Sequence, residues 1–276
     1  MIKDIVVNLS VAEGSGYAGE FAVSVASAVN AHLTGIAFVY DPIVPIGATG
    51  YIPPEVIETQ QRENEDAAKA AIDRFVAAAA RAGISAEPAK LAASLAGAGE
   101  QFGRIARRFD LAIVGQAETE KDTVQELIAE STLFESGRPV IVVPYIQKGP
   151  LKLERVMVCW DGSRPATRAI ADSLPLLAHA GLVEVVIVAD ERGKQDEIAG
   201  ADMGQHLARH GLKVDINRIP SGDVDVADVL LSHAADSGTD FIVMGGYGHS
   251  RLREFVLGGV THSILRSMTI PALMSH

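Results

Sequence analysis

Short apolar runs alternate along the chain with segments in which apolar residues recur at helical spacing. In the second half the apolar runs cover 155–160, 182–189, 212–219, 241–245 and 270–274. Between them, 164–180 and 225–237 carry apolar residues three and four positions apart, which predicts helices. Ser163 is the predicted N-cap of the first helix, and Gly238 ends the second. The runs are apolar throughout rather than alternating, which is typical of parallel strands buried on both faces.

The first half shows the same alternation after an opening run at Ile5–Val7. Its predicted helices cover 16–31, 61–82 and 98–108, and its predicted strands cover 33–39, 84–91, 111–115 and 139–144. Strands that alternate with helices are typical of an open α/β sheet with helices on both faces. We therefore predict two tandem, doubly wound (Rossmann-like) domains, each with about five mostly parallel strands flanked by helices.

Two segments of the first half recur in the second. Asp110–Gly115 is similar to Asp240–Gly245, and Arg138–Val143 is similar to Ile270–Met274. A polar stretch with turn residues separates the halves, so we predict domains at 1–147 and 150–276.

The first half is longer between its early and late strands than the second half. We assign most of the extra residues to a surface loop at 40–51, because several prolines and glycines occur there. The closing strands, 139–144 and 270–274, are apolar and would otherwise leave an open sheet edge. We expect these two strands to pack against each other.

Composition excludes several classes of protein. The formal net charge of the 276 residues is -11, and the basic residues form no cluster in the sequence. A nucleic-acid partner normally requires such a basic cluster, so this partner is not expected. No apolar run approaches the length of a membrane span, so no membrane partner is expected. The single cysteine, Cys159, cannot form an internal disulfide and fits a reducing compartment. We expect a cytoplasmic protein.

A glycine-rich stretch follows the fourth apolar run of the second half. It contains Gly245, Gly248, Gly258 and Gly259. Glycines let backbone amides approach an anion closely, and a following helix adds its unpaired N–H groups, so the stretch is compatible with a phosphate site. The glycines are equally compatible with a tight turn and a helix boundary. A P-loop signature is absent, and a dinucleotide fingerprint would follow the first strand instead.

Spacing adds to this pattern. Gly245 and Gly248 form G-x-x-G, nine residues follow, and Gly258 comes next; Asp161-Gly162-Ser163 follows the first strand, and Pro271 introduces the last. In these features the chain resembles the universal stress protein family, as a tandem two-domain member. The resemblance implies a stress-response protein that binds an adenine nucleotide, ATP, in its second domain. Mg²⁺ would enter with the phosphates, since no dedicated protein cage for a metal is evident.

The resemblance also assigns roles to residues. Asp161 and Val188 would lie by the adenosine, with Met244 and Gly245 at its end. Gly248 would admit the phosphates, and the backbone amides of Gly258, Gly259 and Val260 would hold them. Two positions depart from the family pattern: Gly259 stands where the family has Ser or Thr, and His249 stands where it often has Arg. The missing hydroxyl removes one neutral hydrogen bond, which is worth about 0.5–1.5 kcal/mol.

The first half lacks these features. Ser10 stands in place of the aspartate, and Gly115-Gln116-Ala117-Glu118 stands in place of the glycine loop. The carboxylates of Glu118 and Glu120 would repel phosphate. We interpret the first domain as degenerate for nucleotide, with a role in structure or in pairing, within the chain or in a homodimer.

Other clusters have simpler interpretations. His206 and His210 have a spacing that can bind Zn²⁺, but a solvated helix face is favoured because no third ligand lies nearby in sequence. Asp223, Asp225 and Asp228 are typical of a capped helix start. Cys159, inside an apolar strand, is expected to be a packed and unreactive thiol.

Three functions stay open at this point. The first is nucleotide binding with at most slow ATP hydrolysis, because no set of catalytic base, nucleophile and oxyanion donors can be assembled. The second is a nucleotide-independent scaffold or pairing module of the same fold. The third, an α/β-hydrolase-like or transferase enzyme, has no motif to support it.

Overall fold

The computed structural model describes residues 1–12, 16–42, 53–118, 123–189, 197–246 and 259–276. In the first half the elements are β1 (Asp4–Leu9), α1 (Tyr17–Val29), β2 (His32–Tyr40), α2 (Pro54–Ala82), β3 (Ala86–Ala93), α3 (Ala98–Ala106), β4 (Leu111–Gly115), α4 (Thr123–Glu135) and β5 (Val140–Val143). In the second half they are β6 (Arg155–Cys159), α5 (Arg164–Leu177), β7 (Leu182–Ala189), α6 (Glu197–Arg209), β8 (Val214–Pro220), α7 (Val226–Ser237), β9 (Phe241–Gly245), α8 (Val260–Ser267) and β10 (Ala272–Ser275).

All ten of these strands form one sheet, in the order β3-β2-β1-β4-β5-β10-β9-β6-β7-β8. Neighbours within each half are parallel, as the apolar runs predict. The predicted α/β fold with an open, mostly parallel sheet is therefore confirmed.

The two halves join at the centre of the sheet. β10 pairs antiparallel with β5, and Leu273 lies opposite Ile141. The predicted packing of the closing strands is confirmed, because each strand hides the edge of the other. The result is one continuous sheet rather than two separate ones.

Helices cover both faces of the sheet, and each face has its own buried core. Phe21, Phe75 and Ile170, from α1, α2 and α5, pack on one face. On the other face lie Phe102 of α3, Ile128 of α4, Leu230 of α7 and Ile264 of α8. In the described parts of the chain, no helix is both long and apolar enough to cross a membrane.

Several helix boundaries have local causes. Ser163 caps α5 as predicted, since its Oγ accepts a hydrogen bond from the Ala166 amide at 3.2 Å. Asp225 caps α7 by accepting from the Ala227 amide at 2.8 Å, which confirms the capped-helix interpretation of the local aspartates. Gly238 ends α7 with a φ of 69°, a left-handed conformation that glycine adopts without strain.

Two predictions about elements are wrong. We predicted a helix over 61–82, whereas α2 begins at Pro54 and is 29 residues long. Its counterpart α6 has 13 residues, so much of the extra length of the first half is helix rather than loop. Most of the predicted loop, 43–51, lies outside the described residues. The prediction assigned no helix between 115 and 139, where α4 is found.

Candidate functional site

Candidate binding residues meet where three neighbouring strands of the second half end. β9, β6 and β7 are adjacent and parallel, so their carboxyl ends lie at one edge of the sheet. Asp161 follows β6, Val188 lies near the end of β7, and Gly245 ends β9. The chain order reverses between β6 and β9, and open α/β sheets bind ligands at such a switch point.

Asp161 is exposed, and its carboxylate is held by the turn that leads into α5. Its Oδ1 accepts a hydrogen bond from the Ser163 amide at 2.9 Å. Gly162 between them has a φ of 76°, which a residue with a Cβ rarely adopts. The Asp-Gly-Ser sequence therefore has a local structural reason, and it fixes the carboxylate beside the switch point.

Three of the apolar candidates share one face of the sheet. Met244 is buried at 4% exposure, and Val188 and Val260 pack, half-buried, against the same core. The side chain of Met244 thus belongs mainly to the core. Val188 and Val260 retain partly exposed apolar surface on that face, which is the kind of surface that the flat face of a base requires.

Gly245 has a close neighbour on the opposite face. A Cβ at this position would lie 2.5 Å from the Ala166 amide nitrogen and 2.8 Å from the Pro165 carbonyl carbon. Both neighbours are backbone atoms in the first turn of α5. The glycine is therefore required for the packing of that helix, whatever its role toward a ligand.

The amino end of α8 lies at the same edge of the sheet as Gly245. β9 and β10 are parallel neighbours, so the helix that connects them runs back across the sheet with its first residue at their carboxyl ends. Gly259 is the N-cap of α8, and it supplies no side-chain hydrogen bond to the first turn. The amides of a helix start and the helix dipole favour an anion.

The remaining predicted site residues, Gly248, His249 and Gly258, lie outside the described residues. The structure thus brings together six of the nine at the carboxyl edge of β6, β7 and β9, and these are Asp161, Val188, Met244, Gly245, Gly259 and Val260.

The corresponding place in the first half is filled by side chains. The Tyr17 hydroxyl donates to the Gln116 carbonyl at 2.8 Å, and Gln125 Nε2 donates to the Gly115 carbonyl at 3.0 Å. A Cβ on Gly115 would lie 2.7 Å from the Tyr17 hydroxyl oxygen. The turn after β4 is therefore closed around protein groups.

Gln116 also ties the two halves together. Its side chain is buried at 1% exposure, and its Nε2 donates to the carbonyl of Leu265 in α8 at 3.0 Å. A second bridge runs from Arg168 Nη2 of α5 to the Gly137 carbonyl at 2.8 Å. Sequence reasoning missed both contacts, because a side chain that bonds a distant carbonyl leaves no periodic signal.

Cys159, which ends β6 next to the site, is half-buried. Burial raises its pKa to about 12, and the nearby Asp161 carboxylate adds to the shift. Its side chain packs against the core that contains Met244, as predicted, while its low reactivity stays a prediction. His206 on α6 and His210, directly after that helix, are both exposed, with ring centroids 4.8 Å apart.

A buried carboxylate lies in the same half, on β7. Glu184 accepts hydrogen bonds from Asn217 at 3.1 Å and Arg155 at 3.2 Å, and pairs with His233 at 3.0 Å. Burial alone would raise its pKa, but these partners outweigh burial and hold the pKa of the carboxyl below its ordinary value.

Comparison with known proteins agrees with this geometry. The model of the universal stress protein family matches residues 152–276. The second half of the chain is therefore similar to the universal stress protein family. A universal stress protein of Synechocystis sp. is 28% identical over 174 residues, which is 60% of this chain and 57% of that protein.

Solved structures extend the likeness in fold across both halves. A universal stress protein from Archaeoglobus fulgidus superimposes with a TM-score of 0.72 at 16% identity, over 98% of this chain and 95% of that one. A protein of unknown function from Pseudomonas aeruginosa has a TM-score of 0.62 at 14% identity, over 99% of this chain and 92% of that one. At these identities the likeness concerns the fold.

Proposed function

We propose that this chain is a universal stress protein that binds one adenine nucleotide, ATP, in its second half and takes part in a stress response through that binding. The observation that carries the proposal is the convergence of Asp161, Val188 and the amino end of α8 at the switch point. The carboxylate of Asp161 would accept hydrogen bonds from the ribose hydroxyls, and the apolar surface of Val188 would contact the base. The backbone amides at the start of α8 would donate to the phosphates.

The phosphates would lie against the first turn of α8. Gly259 has no side chain there, so the approach to the helix amides is not narrowed by a Cβ. Gly248, His249 and Gly258 would complete the phosphate side in this proposal, and Mg²⁺ would arrive with the phosphates. We expect binding with at most slow hydrolysis, since the set contains no nucleophile paired with a base.

The first half, which we place at 1–147, would serve structure and pairing. Ser10 provides no carboxylate, and the turn at Gly115 and Gln116 is already bonded to Tyr17 and Gln125. The second domain would then be 150–276. The proposal extends to a cytoplasmic location, which the single cysteine supports.

A charge placed at the helix start tests the proposal. Gly259→Asp adds a carboxylate where the phosphates would bind, yet aspartate is a favourable N-cap, so α8 should keep its stability. We expect ATP affinity, measured by equilibrium dialysis of the full chain, to fall at least tenfold. Thr123→Asp adds the same charge at the first residue of α4, the helix that occupies the corresponding place in the first half, and it should leave the affinity unchanged.

The reverse pattern contradicts the assignment. If Thr123→Asp weakens binding and Gly259→Asp does not, the nucleotide site lies in the first half. If the parent chain binds no ATP, the nucleotide-independent scaffold is the better account.

A further inference from the structure

A cavity of about 430 Å³ lies between α4 of the first half and α8 of the second. Glu118, Glu126, Glu130, His262 and Arg266 are among the residues that line it. The cavity lies at the junction of the halves, next to the filled turn of Gln116, and contains none of the proposed nucleotide ligands. Its lining residues therefore differ from the proposed nucleotide ligands, although both sets include residues at the start of α8.

Three metal-ligating side chains converge in this cavity. One carboxylate oxygen each of Glu126 and Glu130, together with one imidazole nitrogen of His262, lie within 4.8 Å of one another, and all three residues are half-buried. Glu126 and Glu130 are four residues apart on α4, so they share one face of the helix. His262 comes from the first turn of α8 and meets them from the other half.

The spacing suits a small cation. Ligand atoms about 2.0–2.1 Å from a tetrahedral Zn²⁺ are roughly 3.4 Å apart. Modest rotation of two glutamate side chains would close the observed separation to that value.

We propose that Glu126, Glu130 and His262 form a binding site for Zn²⁺ that joins the two halves of the chain. The imidazole nitrogen decides the class of metal, because Mg²⁺ prefers oxygen ligands only, whereas Zn²⁺ binds imidazole and carboxylate together. Three protein ligands leave a fourth position open toward the cavity. The ion would hold α4 against α8, and its binding would stabilise the folded chain.

Arg266 is the competing cation in the same cavity. Its guanidinium pairs with a carboxylate through charge and N–H donors, so an arginine–glutamate pair can form without His262. A Zn²⁺ site therefore depends on the imidazole, whereas an arginine–glutamate pair does not. This difference makes the proposal testable with single substitutions.

The experiment is a calorimetric titration of the full chain with Zn²⁺, without nucleotide. It is done in a His206→Ala, His210→Ala background, because that exposed pair could bind zinc weakly by itself. We expect one Zn²⁺ to bind per chain and to raise the melting temperature. We expect Mg²⁺ to leave the melting temperature unchanged. His262→Ala and Glu130→Gln should each lower the Zn²⁺ affinity at least tenfold.

Glu118→Gln is the matched control, since Glu118 lines the cavity outside the three-ligand cluster. It should keep the parent affinity, and circular dichroism should show that every variant is folded. Equal Zn²⁺ affinity in the parent and in His262→Ala overturns the proposal, as does a parent that binds no Zn²⁺. Loss of binding in Glu118→Gln with retention in Glu130→Gln would also overturn this ligand set.

Discussion

The packing of Gly245 against α5 gives the sharpest prediction about stability. In Gly245→Ala, the new methyl group would lie 2.5 Å from the Ala166 amide nitrogen, well inside van der Waals contact. That amide is also the donor to Ser163 Oγ in the cap of α5. The substitution therefore pushes on a helix start and on its capping bond at once.

The size of the effect follows from these two contacts. Overpacking against a well-packed core costs about 1–3 kcal/mol. Weakening an N-cap costs about 0.5–2 kcal/mol. Because the obstructing atoms are backbone and cannot rotate away, we expect Gly245→Ala to lower the free energy of unfolding by about 2–4 kcal/mol.

Gly246→Ala is the matched control. Its Cβ would meet Leu133 Cδ2 at 2.8 Å, which is the far end of a flexible side chain. Rotation of that side chain relieves the contact, so the loss of stability should stay below about 1.5 kcal/mol. Urea denaturation followed by circular dichroism measures both variants. Equal stability of the two variants, or a Gly245→Ala chain as stable as the parent, would refute the reasoning.

Three further predictions concern the second half. The partners of Glu184 lower its pKa, so its ionised form stabilises the fold above the ordinary glutamate pKa of about 4.3, and this stabilisation is lost as the pH falls through the lower folded value. Glu184→Gln should therefore lower the free energy of unfolding by about 1–3 kcal/mol at pH 7 and by less below pH 4. A difference in urea denaturation that does not change with pH would contradict this. With a pKa of about 12, Cys159 is thiolate in only about one chain in 10⁴ at pH 8, so iodoacetamide should label it in urea and not in the native protein, as mass spectrometry would detect. Gly259→Ser adds a hydroxyl at the helix start and should tighten ATP binding up to about tenfold in equilibrium dialysis, whereas an unchanged affinity would contradict a contact between that hydroxyl and the phosphates.

The fold was predictable wherever local signals agree. Apolar runs locate the central strands because both faces of the sheet are covered, and Ser163 and Asp225 mark helix starts through their side-chain oxygens. The start of α2 was missed because its first turns are exposed and have no apolar stripe to reveal them. The buried side of α4 includes Gln125 and Thr132, so its hydrophobic spacing is weak.

The candidate site was predictable only in part. Spacing locates Asp161 and Gly245, since strand ends and glycines are local features. It gives no hint that Gly245 packs on α5, or that Gln116 reaches α8, because such contacts depend on how distant segments meet. The convergence of Glu130 and His262 is equally hidden, since the two residues belong to different halves of the sequence.

Native mass spectrometry of the full chain with Mg²⁺ and ATP tests the central claim most directly, because it counts bound nucleotides on each chain. The account predicts a single added ATP per chain in the parent, and a marked loss of that species in Gly259→Asp. An unchanged mass for the parent at saturating ATP would contradict the claim of nucleotide binding. Two ATP molecules per chain at the same concentration would contradict the assignment of one site to the second half.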